Sequence, residues 1–213
     1  MGIFYNNNVL SMRKNCRRKI RPLSFRFFSL ITVLLVLGGC ATDDVRHYLR
    51  PNAEAAGIKK IAVLPLETLT QDQYAGEKVR RMLISEILSR RADVIEPGEI
   101  TSFLVALQKP LYRLEMKDIR ELGEKLGADA VLLGSVEAYK MTSGLTVSYP
   151  DVSINLRLVE TSSGKIIWSA VSTSGGASFW TRHFGAEGLS LSETARKVVK
   201  EAVDTLPLSD KTD

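Results

Sequence analysis

The chain has 213 residues, a formal net charge of +5 and a pI near 9.2. Seven of its 29 Lys and Arg residues (Arg13, Lys14, Arg17, Arg18, Lys19, Arg21 and Arg26) precede the first acidic residue, Asp43; from Cys40 onward 22 basic residues face 24 acidic ones, a net of −2. The basicity belongs to a short amino-terminal segment, which removes most of the case for a nucleic-acid-binding domain, and no nucleic-acid partner is expected.

Residues 1–26 are polar and basic, and residues 27–38 (FFSLITVLLVLG) form an apolar run. A bilayer-spanning helix needs about 20 apolar residues. This run falls short of that but suits the hydrophobic region of a secretory signal. It leads into Leu37-Gly38-Gly39-Cys40. A leucine, two small residues and a cysteine in this setting resemble the lipobox of bacterial lipoproteins. The resemblance implies a signal peptide over residues 1–39, cleavage between Gly39 and Cys40, and diacylglycerol and N-acyl (palmitate) groups on Cys40. Met12 offers a second start, which shortens the leader to residues 12–39. Each buried methylene adds about 0.8 kcal/mol, so two or three chains hold a protein to the bilayer where one does not. Residue 41 is Ala rather than the Asp that retains lipoproteins in the inner membrane of many enteric bacteria, which favours the outer membrane. Cys16 and Cys40 are the only cysteines and His47 and His183 the only histidines. Once the leader is removed and Cys40 acylated, neither a disulfide nor a cysteine- or multi-histidine metal site can form within one chain. No metal and no cofactor beyond the covalent lipid is expected.

Residues 40–57 read as the lipidated cysteine followed by a tether, since they have little periodicity and several small residues. Residues 58–213 suffice for one domain with a real core. The run from Ile58 to Leu64, closed by Pro65, predicts a strand. Val79, Leu83 and Ile87 place a helix over residues 74–90, and Ala92–Ile95 a short strand. A helix carrying Ile100, Phe103, Leu104 and Leu107 is broken at Lys109-Pro110. The next, with Met116, Ile119, Leu122 and Leu126, is stopped by Gly127. Residues 130–139 predict a buried strand, and Val152, Ile154, Leu156 and Leu158 an alternating one. Ser162-Ser163-Gly164-Lys165 reads as the hairpin turn into a partner strand over 166–172. Ser190 and Glu193 fit a capping box for a last helix that ends at Pro207. The order β-α-β-α-α-β-β-β-α predicts an α/β fold of α+β character: a mixed sheet of about five strands with four helices against it.

Three segments then look familiar together: Ile61-Ala62-Val63-Leu64-Pro65-Leu66, Leu126-Gly127-Ala128-Asp129-Ala130-Val131 with Gly134-Ser135-Val136, and Leu156-Arg157-Leu158-Val159-Glu160-Thr161 followed by Ser163-Gly164-Lys165 and Ile167-Trp168-Ser169. In order and spacing they resemble the domain group of the TolB amino-terminal domain, the curli-secretion lipoprotein CsgG and the penicillin-binding-protein activator LpoB, over residues 58–206. The motifs are structural, so they speak for fold more than for function. Residues 140–151, interrupted by Pro150, leave little room for the long membrane hairpins of the curli channel, and residues 41–57 are short beside the tether of the activator.

Candidate chemistry is sparse. No Gly-x-Ser-x-Gly, His-Glu-x-x-His or phosphate-loop pattern occurs. Arg80-Arg81 and Arg90-Arg91 read as solvated helix edges, the second pair near a helix carboxyl end. Residues 173–188 form a glycine-rich segment with Phe179, Trp180, His183 and Phe184, a candidate partner surface because aromatics dominate interface energetics. The expectation is a non-enzymatic periplasmic lipoprotein, tied to the outer membrane through Cys40. It binds or scaffolds an envelope protein complex or, alternatively, assembles with its own copies into a CsgG-like secretion apparatus.

Overall fold

The strands and helices assemble around the difference between two kinds of apolar pattern, one continuous and one alternating. The computed structural model describes residues 43–51, 57–143, 148–175 and 188–208, all within the unit Ala41–Asp213. Its strands are β1 (Asp43–Leu49), β2 (Lys60–Val63), β3 (Glu67–Thr68), β4 (Asp93–Val94), β5 (Ala130–Ser143), β6 (Ser148–Glu160) and β7 (Ile166–Gly175). They form one mixed sheet in the order β1-β7-β6-β5-β2-β4, with β3 paired to β5 beyond the end of β2. β2 runs parallel to both β4 and β5, a pairing that requires crossover connections such as the helices between them. β5, β6, β7 and β1 pair antiparallel.

The five expected strands are all present. β3 is a continuation of β2 along β5 after a gap at Pro65, a residue without an N–H to donate. The other addition, β1, occupies seven residues of the segment expected as a tether, and pairs with β7 from Asp43 opposite Ser174 to Leu49 opposite Trp168. β5 and β6 also run further than expected, to Ser143 and from Ser148, and Pro150 lies inside β6 rather than interrupting it. At that point β6 has passed the end of β7, whose last partner is Asp151, so a missing donor costs no ladder bond on that side.

Four helices are described: α1 (Ala75–Ser89), α2 (Pro97–Leu107), α3 (Met116–Leu126) and α4 (Leu191–Asp204). α1 and α4 cover one face of the sheet. Val79, Leu83 and Ile87 of α1 and Ala195, Val198 and Ala202 of α4 are buried with Val63, Leu132, Ile154, Leu156, Leu158 and Trp168. α2 and α3 supply Ile100, Phe103, Ile119 and Leu122 to a second core against Ala62, Leu64, Val131 and Val159. Residues 61–64 are therefore buried on both faces, which explains their unbroken apolar run. As far as Leu158, β6 is buried on one face: Ser153, Asn155 and Arg157 on the other are half-buried or exposed, which explains its alternation, and only Val159 near its end joins the second core.

The ends are set by short-range chemistry. The Ser190 hydroxyl accepts from the Glu193 N–H at 3.2 Å, and the Glu193 carboxylate accepts from the Ser190 N–H at 2.8 Å, the expected capping box of α4. Gly127 ends α3 at φ 65, a left-handed conformation that glycine adopts without a Cβ penalty. A Cβ on Gly134 would collide with the Asn155 carbonyl and Leu156 of the neighbouring strand, so that position accepts only glycine without rearrangement.

Candidate functional site

The two ends of the sheet do different things, and the motifs that the sequence singled out lie at one of them. At one end lie the shared motifs. The Asp129 carboxylate accepts the backbone N–H groups of Lys59 and Lys60, both at 2.9 Å, and so fixes the start of β2 against the turn before β5. Thr161 donates its hydroxyl to the carbonyls of Ala128 and Asp129, each at 2.8 Å, while its own N–H donates to Asp129 at 2.9 Å. Trp168 is fully buried, with its indole Nε1 donating to the Thr205 hydroxyl at 3.0 Å, which pins the end of α4 to β7. These residues hold strand starts and helix ends in place.

The opposite end is defined by one row across four strands: Asp43 of β1, Ser174 of β7, Val152 of β6 and Tyr139 of β5 stand side by side. With neighbouring strands about 4.8 Å apart, the row spans roughly 14 Å. Beyond it project the last residues of β5 and the first of β6, including Met141, which is 51% exposed, and a Lys140–Asp151 ion pair at 3.9 Å. β1 begins three residues after Cys40, and β7 ends one residue before 176, so the chain leading from Cys40 and the chain leading to Phe179, Trp180, His183 and Phe184 meet the sheet at neighbouring positions. Gly39, Cys40 and those four residues themselves lie outside the described residues. This corner could not be read from the sequence, because the pairing of Asp43 with Ser174 joins segments 131 positions apart.

Two expectations about charged residues change. Arg80 is not a solvated residue: it is 4% exposed, and its Nε donates to the Val63 carbonyl at 3.0 Å. The helical period explains this, since Arg80 follows Val79 into the angle between α1 and β2. Arg90 is a clamp rather than a free edge. Its guanidinium donates to Glu86 at 2.9 Å and to Asp204, joining the carboxyl ends of α1 and α4. Asp118, 2% exposed, accepts both Lys109 Nζ contacts, at 2.8 and 2.9 Å, and the Glu115 N–H at 2.8 Å. The Lys109 hydrogen bond, seconded by Glu115, holds its carboxyl below the usual 3.8. It closes the cap of α3.

Among the described residues no group of three or more His, Cys, Asp or Glu side chains gathers as metal ligands would, and no helix is long and apolar enough to cross a membrane. His47, the one described histidine, is exposed on β1 opposite Ala170.

No protein-family model and no curated protein matches the chain. Solved structures do. The chain is similar to PelC from Paraburkholderia phytofirmans, a dodecamer, at 24% identity and a TM-score of 0.57, over 79% of this chain and 100% of that one. It is also similar to the lipoprotein GNA1162 from Neisseria meningitidis (17% identity, TM-score 0.49, 69% of this chain and 97% of that one). The LpoB C-terminal domain from Salmonella enterica aligns at 14% identity and a TM-score of 0.42, over 70% of this chain and 94% of that one. At these values the likeness to PelC shows a shared fold. The structural neighbours include lipoproteins, and the expected resemblance to CsgG and TolB rests on the sequence motifs alone.

Proposed function

We propose that this chain is a non-enzymatic lipoprotein, held in the outer membrane by acyl groups on Cys40, whose periplasmic domain is a scaffold for an envelope protein complex. The observation that carries this reading is the place of β1. Three residues reach only about 10 Å, so a lipid on Cys40 keeps the Asp43–Ser174–Val152–Tyr139 corner next to the bilayer. A free tether over residues 41–57 would have reached roughly 55–60 Å; a strand docked in the sheet does not. The partner therefore meets the domain at the membrane surface, and the segment carrying Phe179, Trp180, His183 and Phe184 departs from the same corner. Replacing Cys40 with Ala and fractionating membranes tests the anchor: the variant is expected to leave the outer-membrane fraction, and a variant that stays there overturns the reading.

A second reading is favoured by a specific observation: the PelC structure with the same fold is a dodecamer. A head-to-tail interface between identical chains closes into a ring when its rotation permits. On this reading the scaffold is built of many copies of the chain, as part of a secretion apparatus. The mass of the detergent-extracted protein decides it. A multiple of the chain mass is expected, and a monomer at micromolar concentration removes the ring.

A further inference from the structure

The solvent side of the α1–α4 pair carries a groove of about 640 Å³. The two helices run in the same direction, because each returns from the end of a strand, β2 and β7, that points the same way as β5. Their outer faces therefore lie side by side over their whole length. Met82, half-buried, and Val199, 2% exposed, give the groove an apolar floor. Lys78, Arg81, Arg196, Lys197 and Lys200 line its walls, and Glu86 is the one carboxylate among the lining residues.

This sign is local, since the chain from Cys40 onward has a net charge of −2. Four of the cations are held by carboxylates that do not line the groove: Lys78 by Asp72 at 2.6 Å, Arg81 by Glu77 at 3.0 Å, Lys197 by Glu201 at 3.9 Å and Lys200 by Asp204 at 3.1 Å. Pairs this exposed contribute about 0–1 kcal/mol, so an arriving carboxylate exchanges for them at little cost. Arg196 has no carboxylate at ion-pairing distance among the described residues, and Glu86 is engaged by Arg90.

We propose that this groove docks an acidic amphipathic segment of a partner protein, apolar side chains against Met82 and Val199 and carboxylates toward Lys78, Arg81, Arg196 and Lys200. An amphipathic helix in a groove matches both properties of the surface. A phosphate polymer satisfies the cations and leaves the apolar floor bare, and a lipid surface presents a plane to a concave site. The proposal deepens the scaffold reading by giving the partner a surface and a chemistry, and it rests on that reading only for the compartment in which the partner is met.

The test places a photo-crosslinking phenylalanine analogue at Ser85, inside the groove, in the full chain in cells, with the same analogue at Arg157 on the bare face of β6 as reference. The expected product joins Ser85 to a segment of a different protein in which Asp and Glu flank apolar residues. Arg81→Glu with Arg196→Glu is expected to reduce that product about tenfold or more, and replacing two acids of the captured segment with Lys to restore it. Both arginines are surface residues, so the melting temperature is expected to hold; Lys78→Gln with Lys200→Gln gives the same reading in milder form should the reversal variant not fold. Products with lipid, with a second copy of this chain, with nothing above the Arg157 reference, or indifferent to charge reversal each overturn the proposal. The same crosslink in the Cys40→Ala chain separates the two ideas: loss of membrane attachment reports on the anchor, and charge dependence of the product reports on the groove.

Discussion

The Asp129 carboxylate and the Thr161 hydroxyl bind only backbone groups of their own chain, and Trp168 spends its one donor on Thr205. The residues that make the sequence look familiar are thus spent on joining β2, β5, β7 and α4. Removing the Trp168 ring leaves a cavity at the centre of the α4 packing. Trp168→Ala is expected to cost about 3–5 kcal/mol in urea unfolding. Asp118 gives a pH-dependent counterpart. Its folded pKa lies below the ordinary 3.8, so its contribution is complete above that value and lost as the pH falls through the lowered one. Asp118→Asn is expected to reduce stability at neutral pH by about 1 kcal/mol, as loss of a helix cap does. The variant should also show a flatter decline than the parent in urea midpoints measured from pH 6 to pH 3.

At the level of elements, legibility followed how local each cause was. The unbroken apolar residues 61–64 and the alternation of β6 announce themselves because burial on two faces or one is written residue by residue. The capping box at Ser190 and the stop at Gly127 need only a few neighbouring positions. β1 was illegible for the opposite reason. Asp43, Asp44, Arg46 and His47 offer no apolar alternation, and the segment is a strand because β7 presents an open edge to it. Arg80 was misread because a charged residue on a helix is ordinarily solvated; its carbonyl partner, Val63, comes from a different element. The pairing of β1 can be tested directly. The Arg50 N–H donates to the Ile167 carbonyl, and antiparallel ladders alternate, so Tyr48 also faces β7. Tyr48→Pro is expected to speed amide exchange along β7 while α1 and β2 keep their protection. Unchanged exchange in β7 would mean that β1 is not held by that ladder.

For the whole molecule, the charge imbalance and the position of β1 bear on one another. Residues 1–39 hold seven basic and no acidic residues, which accounts for the +5 of the full sequence, while residues 40–213 carry −2. The basic segment, the apolar run and the Leu37-Gly38-Gly39-Cys40 motif are read from residue order alone, whereas the corner at which β1 enters the sheet required the β1–β7 register. The candidate partner surface of Phe179, Trp180, His183 and Phe184 lies outside the described residues. On the proposed reading the domain hangs from a lipid three residues before its edge strand. The most direct measurement is the mass of the amino-terminal peptide of the protein isolated from membranes. That reading requires a peptide beginning at Cys40 and carrying diacylglycerol and an N-acyl chain. An unmodified Cys40, or a chain that still retains Gly39 and the apolar run before it, would contradict it.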